Sequence, residues 1–299
     1  MGFKSKEVVI ICGVRTPIGT YKGSLKNMKS HQLGSIVINE VLKRSKFNKD
    51  EIDEIIMGQV LTTGAGQNPA RQAAINAGIP ISKPAHLVNQ VCGSGLRAVI
   101  SGYQSIKLGE ATNIISGGQE NMSIAPHAIF YRDEKKISEN ELLDTMINDG
   151  LIDAFNNYHM GVTAENIAEK YHITRREQDT FSISSQKKAK KAYEEKKFND
   201  ELIKLQIQSN NEKFIFEHDE YLRNNITLDD LEKLNTVFKE NGTVTPGNSS
   251  GLNDGAAALV LMTREKAELK SLEILASIVS WSSSGVEPSL MGLGPIPSI

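Results

Sequence analysis

Cys92 lies in a short stretch of small residues that suits a nucleophile, Asn89-Gln-Val-Cys-Gly-Ser-Gly-Leu-Arg-Ala98. The Gly93–Gly95 turn lets the backbone approach the sulfur, and a helical pattern follows until Gly109 can end it. A cysteine at the start of such a helix faces free N–H groups and the positive end of the helix dipole, which stabilise a thiolate. The thiolate is the form of cysteine that acts in covalent catalysis. A buried structural cysteine is the alternative, and position alone favours neither interpretation.

The elements that must position Cys92 are predicted from hydrophobic periodicity. Leu96, Val99, Ile100 and Tyr103 predict that the helix after Cys92 is mostly buried. Strand and helix patterns alternate through residues 1–121, which favours a largely parallel sheet covered on both faces. The predicted strands are Val8–Cys12, Glu54–Gln59, His86–Gln90, Asn113–Gly117, Ala256–Met262 and Leu272–Ser280. The other predicted helices are Leu33–Arg44, Ala70–Ala77 and Arg264–Lys270. In the second of these, Asn68 is the predicted cap and Pro69 the first residue.

Composition excludes several classes of protein. The 299 residues allow about two domains, and 39% hydrophobic with 23% charged residues is typical of soluble globular proteins. No apolar run approaches the ~18 residues of a membrane span. The net charge of −2 gives no general attraction to nucleic acid. Two cysteines, of which Cys12 lies within a strand pattern as a core residue, form no disulfide framework and favour the cytoplasm. The histidines have no partners at ligand spacing, so no metal site is indicated.

Six further stretches, together with the Cys92 stretch, carry a resemblance to a known family. They are GVRTPIGTYKGSL (13–25), GQVLTTGAGQNPARQAA (58–74), ISGGQENMS (115–123), HMGVTAENIAEKY (159–171), GTVTPGNSSGLNDGAAALVLM (242–262) and GVEPSLMGLGP (285–295). In this order they resemble segments of the thiolases, the acyl-CoA acyltransferases that make or cleave 3-ketoacyl-CoA. The resemblance spans essentially the whole chain and is strongest to the branch that uses acetyl-CoA.

The resemblance implies an α/β fold of layered α/β/α/β/α architecture with two similar halves, the second largely missing from 1–299. Residues 1–121 and 253–270 would form the N-terminal half, 122–252 an inserted coenzyme A-binding loop domain, and 271–299 the start of an incomplete second half. In the family, further catalytic residues lie in Asn-Glu-Ala-Phe-like, Gly-His-Pro-like and Cys-x-Gly-Gly-like segments, which 1–299 does not match. We therefore expect the 299-residue chain alone to be inactive in condensation.

The implied reaction is the condensation of two acetyl-CoA to acetoacetyl-CoA and coenzyme A, or the reverse thiolysis, through an acetyl-cysteine at Cys92. The coenzyme A thioester is the substrate, and no cofactor is implied. His159 and Met160 would contact the pantetheine arm, with Leu151 on the same wall, and Arg223 would lie near the adenosine phosphates. The remaining implied substrate contacts are Ser250, Pro246 (where alanine is more usual) and Met291, which could narrow the acyl pocket.

Other interpretations stay open. On the residues alone, His159 could be an ordinary surface histidine, Ser250 part of an ordinary turn and Arg223 a solvated side chain. The chain could also be a thiolase for longer 3-ketoacyl-CoA chains, or a non-catalytic thiolase remnant that binds coenzyme A. The resemblance further implies a homo-oligomer, a dimer or a tetramer.

Overall fold

The computed structural model describes residues 7–131, 142–209 and 212–299. Residue contacts divide the chain into two compact units. The sheet unit comprises Met1–Thr145, Asp200–Glu220 and Asn253–Ser280, and the helical unit comprises Met146–Asn199, Tyr221–Leu252 and Trp281–Ile299. Within the described ranges, no helix combines the length and the apolar composition that crossing a membrane requires.

The sheet unit contains most of the strands. In chain order its elements are β1 Val8–Arg15, β2 Gly19–Thr20, α1 Ser30–Ser45, the 3₁₀ turn Lys49–Glu51, β3 Glu54–Gly58, α2 Pro69–Asn76, β4 Ala85–Val88, α3 Ser94–Leu108, β5 Asn113–Asn121, β6 His127–Ala128, β7 Leu143–Asp144, β8 Leu205–Ser209, β9 Glu212–Phe216, β10 Asn253–Thr263, α7 Arg264–Leu269 and β11 Ala276–Ser277. Those of the helical unit are the π-helical turn Ile147–Leu151, α4 Met160–Tyr171, α5 Arg175–Glu194, α6 Leu228–Glu232, and the 3₁₀ turns Pro288–Leu293 and Ile296–Ser298.

The main sheet is mixed. Its strand order is β11-β1-β10-β5-β3-β4, and β2 also pairs with β10. β3 is parallel to β4 and β5, whereas β10 is antiparallel to both β1 and β5. The prediction of a largely parallel sheet is therefore wrong, because β10 arrives from far along the chain and lies between β1 and β5. The strands β1, β3, β4 and β5 do share one direction, as strand-helix alternation predicts.

Helices cover both faces of the main sheet, as predicted. Alternate residues of the strands enter two separate apolar clusters, so that Ile55 joins one and Ile56 the other. The first cluster contains the buried face of α1, with Leu33 at its start, together with α2. The second contains Ala98 and Ile106 of α3. Since neighbouring strand residues point to opposite faces, α1 and α2 lie on one face and α3 on the other.

The local signals for two helix ends are confirmed. The Asn68 side chain accepts a hydrogen bond from the Arg71 N–H at 3.1 Å, and Pro69 is the first residue of α2. Gly109 ends α3 with a φ of 83°. Burial of α3 is predicted less well, because Leu96 is 68% exposed. The face turned to the sheet is formed largely by small residues such as Gly102, where an added Cβ would lie 2.5 Å from Ser116 Oγ.

The contacts group four segments differently from the predicted domains. Residues 122–145 fall within the predicted insertion but belong to the sheet unit. Residues 200–220 fall within the predicted insertion but belong to the sheet unit, because β8 and β9 bury Leu205 and Phe216 in its core. The predicted strand Leu272–Ser280 is reduced to β11, which pairs with the edge of β1 instead of beginning a second sheet. Residues 281–299 belong to the helical unit.

Two glycines bring the sheet into backbone contact with the start of α3. A Cβ added at Gly58, the last residue of β3, would lie 2.3 Å from the Ser94 carbonyl carbon and 2.4 Å from the Gly95 nitrogen. A Cβ added at Gly118 in β5 would lie 3.4 Å from the Gly95 Cα. Only glycine at position 58 lets α3 begin at its observed position, and Cys92 is two residues before that start.

Alanine at Gly58 and alanine at Gly95, on the two sides of this contact, should have opposite effects on the stability of the protein. Gly58→Ala should destabilise the protein by about 1–3 kcal/mol, because the new methyl group overlaps the backbone of α3. Gly95→Ala meets no atom closer than Gly118 Cα at 4.0 Å, so the helix propensity of alanine should leave stability equal or higher. Urea unfolding of both variants measures the difference. Equal midpoints would contradict the proposed close contact.

Candidate active site

The backbone at Cys92 is held in an unusual conformation. Val91 has a φ of 47°, which is rare for a β-branched residue. The Asn89 side chain accepts a hydrogen bond from the Val91 N–H at 2.9 Å. The Ser94 hydroxyl accepts one from the Gln90 N–H at 2.9 Å and donates one to the Val91 carbonyl at 2.5 Å. These bonds hold the turn, and Cys92 is exposed on it.

The other cysteine is in a different environment. Cys12 lies in β1, is 9% exposed and packs in the apolar core. Burial raises the pKa of the Cys12 thiol, which opposes formation of a thiolate. Exposure and reactivity therefore favour Cys92 as the nucleophile, and Cys12 is a core residue as predicted.

Two carboxylates, the partly buried Glu120 and the buried Asp254, lie where β5 ends and β10 begins. Glu120 accepts hydrogen bonds from the Val60 and Leu61 N–H groups at 2.8 and 3.2 Å, while its other oxygen is buried without a partner. Asp254 is fully buried and accepts bonds from the Ser123 N–H and hydroxyl at 3.1 and 2.5 Å. Burial raises the pKa of both carboxyl groups. Sequence reasoning missed both residues, although each lies within a stretch quoted above.

His159 caps the helix that carries Met160. Its Nδ1 accepts a hydrogen bond from the Gly161 N–H at 3.0 Å, so the ring proton of the neutral histidine is on Nε2. Its ring stacks on Phe238 with centroids 4.7 Å apart. Gly161 permits this stack, because an added Cβ would overlap the Phe238 ring. The helix begins at Met160. Sequence reasoning also missed Phe238.

Leu151 is brought close to the start of α4 by a short closed loop. It is the last residue of the π-helical turn, and the next residue, Ile152, forms a bridge with His159. The Asp153 N–H also donates to the Tyr158 carbonyl at 2.8 Å. Leu151 therefore lies one residue from the bridge to His159, the residue before Met160.

Arg223 and Ser250 come from distant segments and meet at one tyrosine. The Arg223 guanidinium lies 5.8 Å from the centroid of the Tyr221 ring, and its backbone N–H donates to Gln186 Oε1 at 2.8 Å. Gly251 packs directly on the Tyr221 ring, since a Cβ added there would overlap the ring. Ser250, the residue before Gly251, is exposed. Tyr221 was not singled out from the sequence, because only this three-dimensional contact reveals it.

Pro246 and Met291 lie on two segments that bind to neighbouring helices. Pro246 follows the fully buried Thr245 in a turn that also carries Ser250. Met291 is 41% exposed in a 3₁₀ turn whose Ser289 carbonyl accepts a hydrogen bond from Asn166 of α4 at 3.1 Å. All the predicted coenzyme A contacts thus lie in the helical unit, and Cys92 lies in the sheet unit.

Among the residues that the structure describes, no group of three His, Cys, Asp or Glu side chains could hold a metal ion. A free thiol on a strained turn can form a covalent intermediate with an electrophilic carbonyl carbon. That step also requires hydrogen-bond donors near the carbonyl oxygen.

Comparison with known proteins identifies the family. The family described as thiolase, N-terminal domain matches residues 8–265. The chain belongs to the thiolase family. A protein named acetyl-CoA acetyltransferase from Paracoccus denitrificans is 48% identical over 292 residues, which is 98% of this chain and 75% of that protein. One named acetyl-CoA acetyltransferase, cytosolic, from Rattus norvegicus is 47% identical over 301 residues, 100% of this chain and 76% of that protein.

A solved structure supports the thiolase fold. The crystal structure of the Bacillus anthracis acetyl-CoA acetyltransferase superposes with a TM-score of 0.95 at 39% sequence identity. The match covers 99% of this thiolase chain and 75% of the other. The α/β fold class and the family predicted from the sequence are therefore confirmed.

The cap that His159 provides should depend on its protonation. Burial lowers the pKa of His159 from its usual 6.5, so the folded state favours the neutral ring that caps α4. This contribution to stability should be complete above pH 6.5 and decline as pH falls through the folded pKa. The asparagine in His159→Asn keeps an oxygen that can cap α4 but does not titrate. His159→Ala removes the cap and should lower the free energy of unfolding by about 1 kcal/mol. Urea unfolding from pH 8 to 5 compares them, and an identical pH profile for wild type and His159→Asn would refute the protonation effect.

Proposed function

We propose that this thiolase chain carries the acyl-transfer chemistry of an acetyl-CoA C-acetyltransferase. The overall reaction is the condensation of two acetyl-CoA to acetoacetyl-CoA and coenzyme A, or the reverse thiolysis. The observation that carries the proposal is Cys92, an exposed thiol on a strained turn in front of α3. The names of relatives that are 46–48% identical support the choice of acetyl-CoA as substrate.

The first half-reaction needs a nucleophile and a group that stabilises the oxyanion. The Cys92 thiolate attacks the thioester carbonyl of acetyl-CoA, and a carbon–sulfur bond forms while negative charge develops on the oxygen. The bond to the coenzyme A sulfur then breaks, and the departing thiolate takes up a proton. The backbone N–H of Cys92, just before α3, is suited to receive the oxyanion, because the N–H groups of Gly93 and Ser94 already donate to the Gln90 and Val91 carbonyls. The product is acetyl-Cys92 and free coenzyme A.

The second half-reaction needs a base for the methyl group of another acetyl-CoA and donors for its enolate. We assign neither role to a residue of 1–299, because the resemblance places them in segments that this sequence does not match. The new carbon–carbon bond would form at the acetyl-Cys92 carbonyl and release the Cys92 thiolate.

We assign coenzyme A binding to residues of the helical unit. Arg223, stacked on Tyr221, offers a guanidinium to the phosphates. His159, through its Nε2–H, and Ser250, through its hydroxyl, offer hydrogen bonds to the amides of the pantetheine arm. Apolar contacts to that arm and to the acyl group would come from the remaining predicted residues, Leu151, Met160, Pro246 and Met291.

We propose a cytoplasmic homo-oligomer. The rat relative and a mouse relative that is 46% identical both have "cytosolic" in their names. The oligomer, a dimer or a tetramer, is an expectation from the family resemblance alone.

The nucleophile can be tested by covalent labelling. Incubation with radiolabelled acetyl-CoA should label the peptide that contains Cys92, and Cys92→Ala should abolish this labelling. Cys12→Ala is the matched control and should retain it, since Cys12 is buried in the core. Peptide mapping by mass spectrometry locates the label. Label on Cys12, or label that persists in Cys92→Ala, would disprove the assignment.

The length of the acyl group that Cys92 accepts distinguishes this function from that of a longer-chain thiolase. Acylation of Cys92 by hexanoyl-CoA should be slower than by acetyl-CoA by roughly tenfold or more, because added methylenes that do not fit must be accommodated by strain. Met291→Ala should reduce this difference if Met291 narrows the acyl pocket. Rates of coenzyme A release measure both effects. Equal rates for the two thioesters would favour the longer-chain thiolase.

A further inference from the structure

Glu165 is a buried carboxylate in the middle of α4. It is 3% exposed, and its oxygens accept hydrogen bonds from the Thr243 N–H at 2.8 and 2.9 Å, the Thr243 hydroxyl at 2.9 Å and the Val244 N–H at 2.7 Å. All these donors are uncharged. Lys239 is near enough to interact with Glu165 through space but makes its ion pair with Glu169, so the uncharged donors must offset most of the cost of burying the Glu165 carboxylate.

The hydrogen bonds fix the beginning of one loop. Thr243 and Val244 open the segment 243–250, and the chain passes so close to Glu165 that a Cβ added at Gly242 would lie 2.3 Å from Oε1. Val244 and Thr245 are 4% and 0% exposed, so this first part of the loop is buried. The position of α4 therefore sets the position of the loop.

A second buried carboxylate holds the far part of the same loop. Asp179 of α5 is fully buried, accepts a hydrogen bond from Asn248 Nδ2 at 2.9 Å and pairs with Arg175 at 2.7 Å. Asn248 in turn accepts a bond from the Thr245 N–H at 2.8 Å. The loop is thus attached at both ends, and Ser250 lies two residues after the second attachment, Asn248.

The residues attached to α4 include several of the predicted substrate contacts. His159 and Met160 lie at its first turn, and Glu165 is five residues after Met160. Through Glu165, the loop with Ser250 is held at a fixed position relative to His159. Because a flexible ligand such as coenzyme A needs donors at fixed separations, this attachment affects binding without any contact to the ligand.

We propose that Glu165 is a positioning residue for coenzyme A binding, acting through the loop 243–250. The proposal rests on the proposed function, which assigns Ser250 to coenzyme A. Glu165→Gln keeps the size of the side chain but replaces one oxygen by an NH₂ group. In the place of Oε1, that NH₂ group faces the backbone N–H groups of both Thr243 and Val244, which cannot accept a hydrogen bond. In the place of Oε2, it keeps the Val244 bond but still lies against the Thr243 N–H, at the 2.9 Å that now separates this N–H from an oxygen. The loop must then shift, and Ser250 shifts with it.

The test separates affinity from the rate of acyl transfer. In Glu165→Gln, the acetyl-CoA concentration that half-saturates Cys92 labelling should rise about tenfold, as loss of one charge-assisted hydrogen bond implies. The labelling rate at saturation should stay within about twofold of wild type, because Cys92 is in the other unit. Calorimetric titration with coenzyme A should show the same loss of affinity. Hydrogen exchange should become faster at the Thr243 and Val244 amides.

The matched control is Glu169→Gln, the same substitution one turn later on α4. Glu169 is 72% exposed and pairs with Lys239 at 2.7 Å on the surface, so its loss should leave the coenzyme A affinity unchanged. Should Glu165→Gln fail to fold, Thr243→Val removes the hydroxyl that donates to Glu165 and accepts from Gln178, and it should weaken binding about threefold, while Thr243→Ser restores it.

The possible results lead to different conclusions. Faster exchange at 243–244 with wild-type affinity would show that Glu165 is only structural, and the proposal would be wrong. A lower saturating rate with unchanged half-saturation would equally overturn it. If wild type itself neither binds coenzyme A nor becomes labelled, the proposed function fails, which is distinct because it appears without any substitution.

Discussion

Strand β10 joins parts of the chain that are far apart, and the sheet unit depends on this pairing. Its residue Ala258 lies opposite both Val14 of β1 and Gly117 of β5. At its start, Asp254 also holds Ser123 through two hydrogen bonds. Such non-local pairing has a cost in loop-closure entropy, which slows folding. Strands β3, β4 and β5 position the Cys92 turn. The outer edge of β5 is paired only when β10 is in place.

Carboxylates that accept backbone N–H groups are a common means of holding loops in both units. Asp219 accepts from the Ile18 N–H at 2.7 Å and from Arg15 at 2.8 Å. Glu120 holds the chain after β3, and Glu165 holds the loop before Ser250. Apolar side-chain contacts would bury surface but would not fix the register of the chain, because they are not directional. Directional bonds fix that register to within a few tenths of an ångström, which is what a site built on loops requires.

Local signals explain which parts of the fold the sequence predicts. The caps at Asn68 and Gly109 act within a few residues, so the bounds of α2 and α3 could be predicted. The place of β10 in the sheet could not, because periodicity identifies a strand but not its neighbours. Leu96 fits the helical pattern yet is exposed, since the sheet side of α3 uses small residues.

The candidate site, like the fold, contains some residues that the sequence predicts and others that it does not. Cys92 could be singled out as a candidate from its own neighbours in the sequence, whereas the family resemblance gave it a role and added His159 and Ser250. Residues that act by supporting others, such as Glu165 and Tyr221, give no sequence signal of their own. Their roles appear only when segments separated by 78 or 31 residues come into contact.

The conformation of Val91 has a consequence for how this chain could change over generations. A β-branched residue with φ of 47° is less stable than glycine would be at the same place, by about 1–3 kcal/mol. That is a large share of the roughly 5–15 kcal/mol that keeps a domain folded. A glycine at position 91 would relieve this strain, but it would also give the backbone next to Cys92 more conformational freedom. A variant with a more heat-stable fold at this position would therefore hold its thiol less firmly.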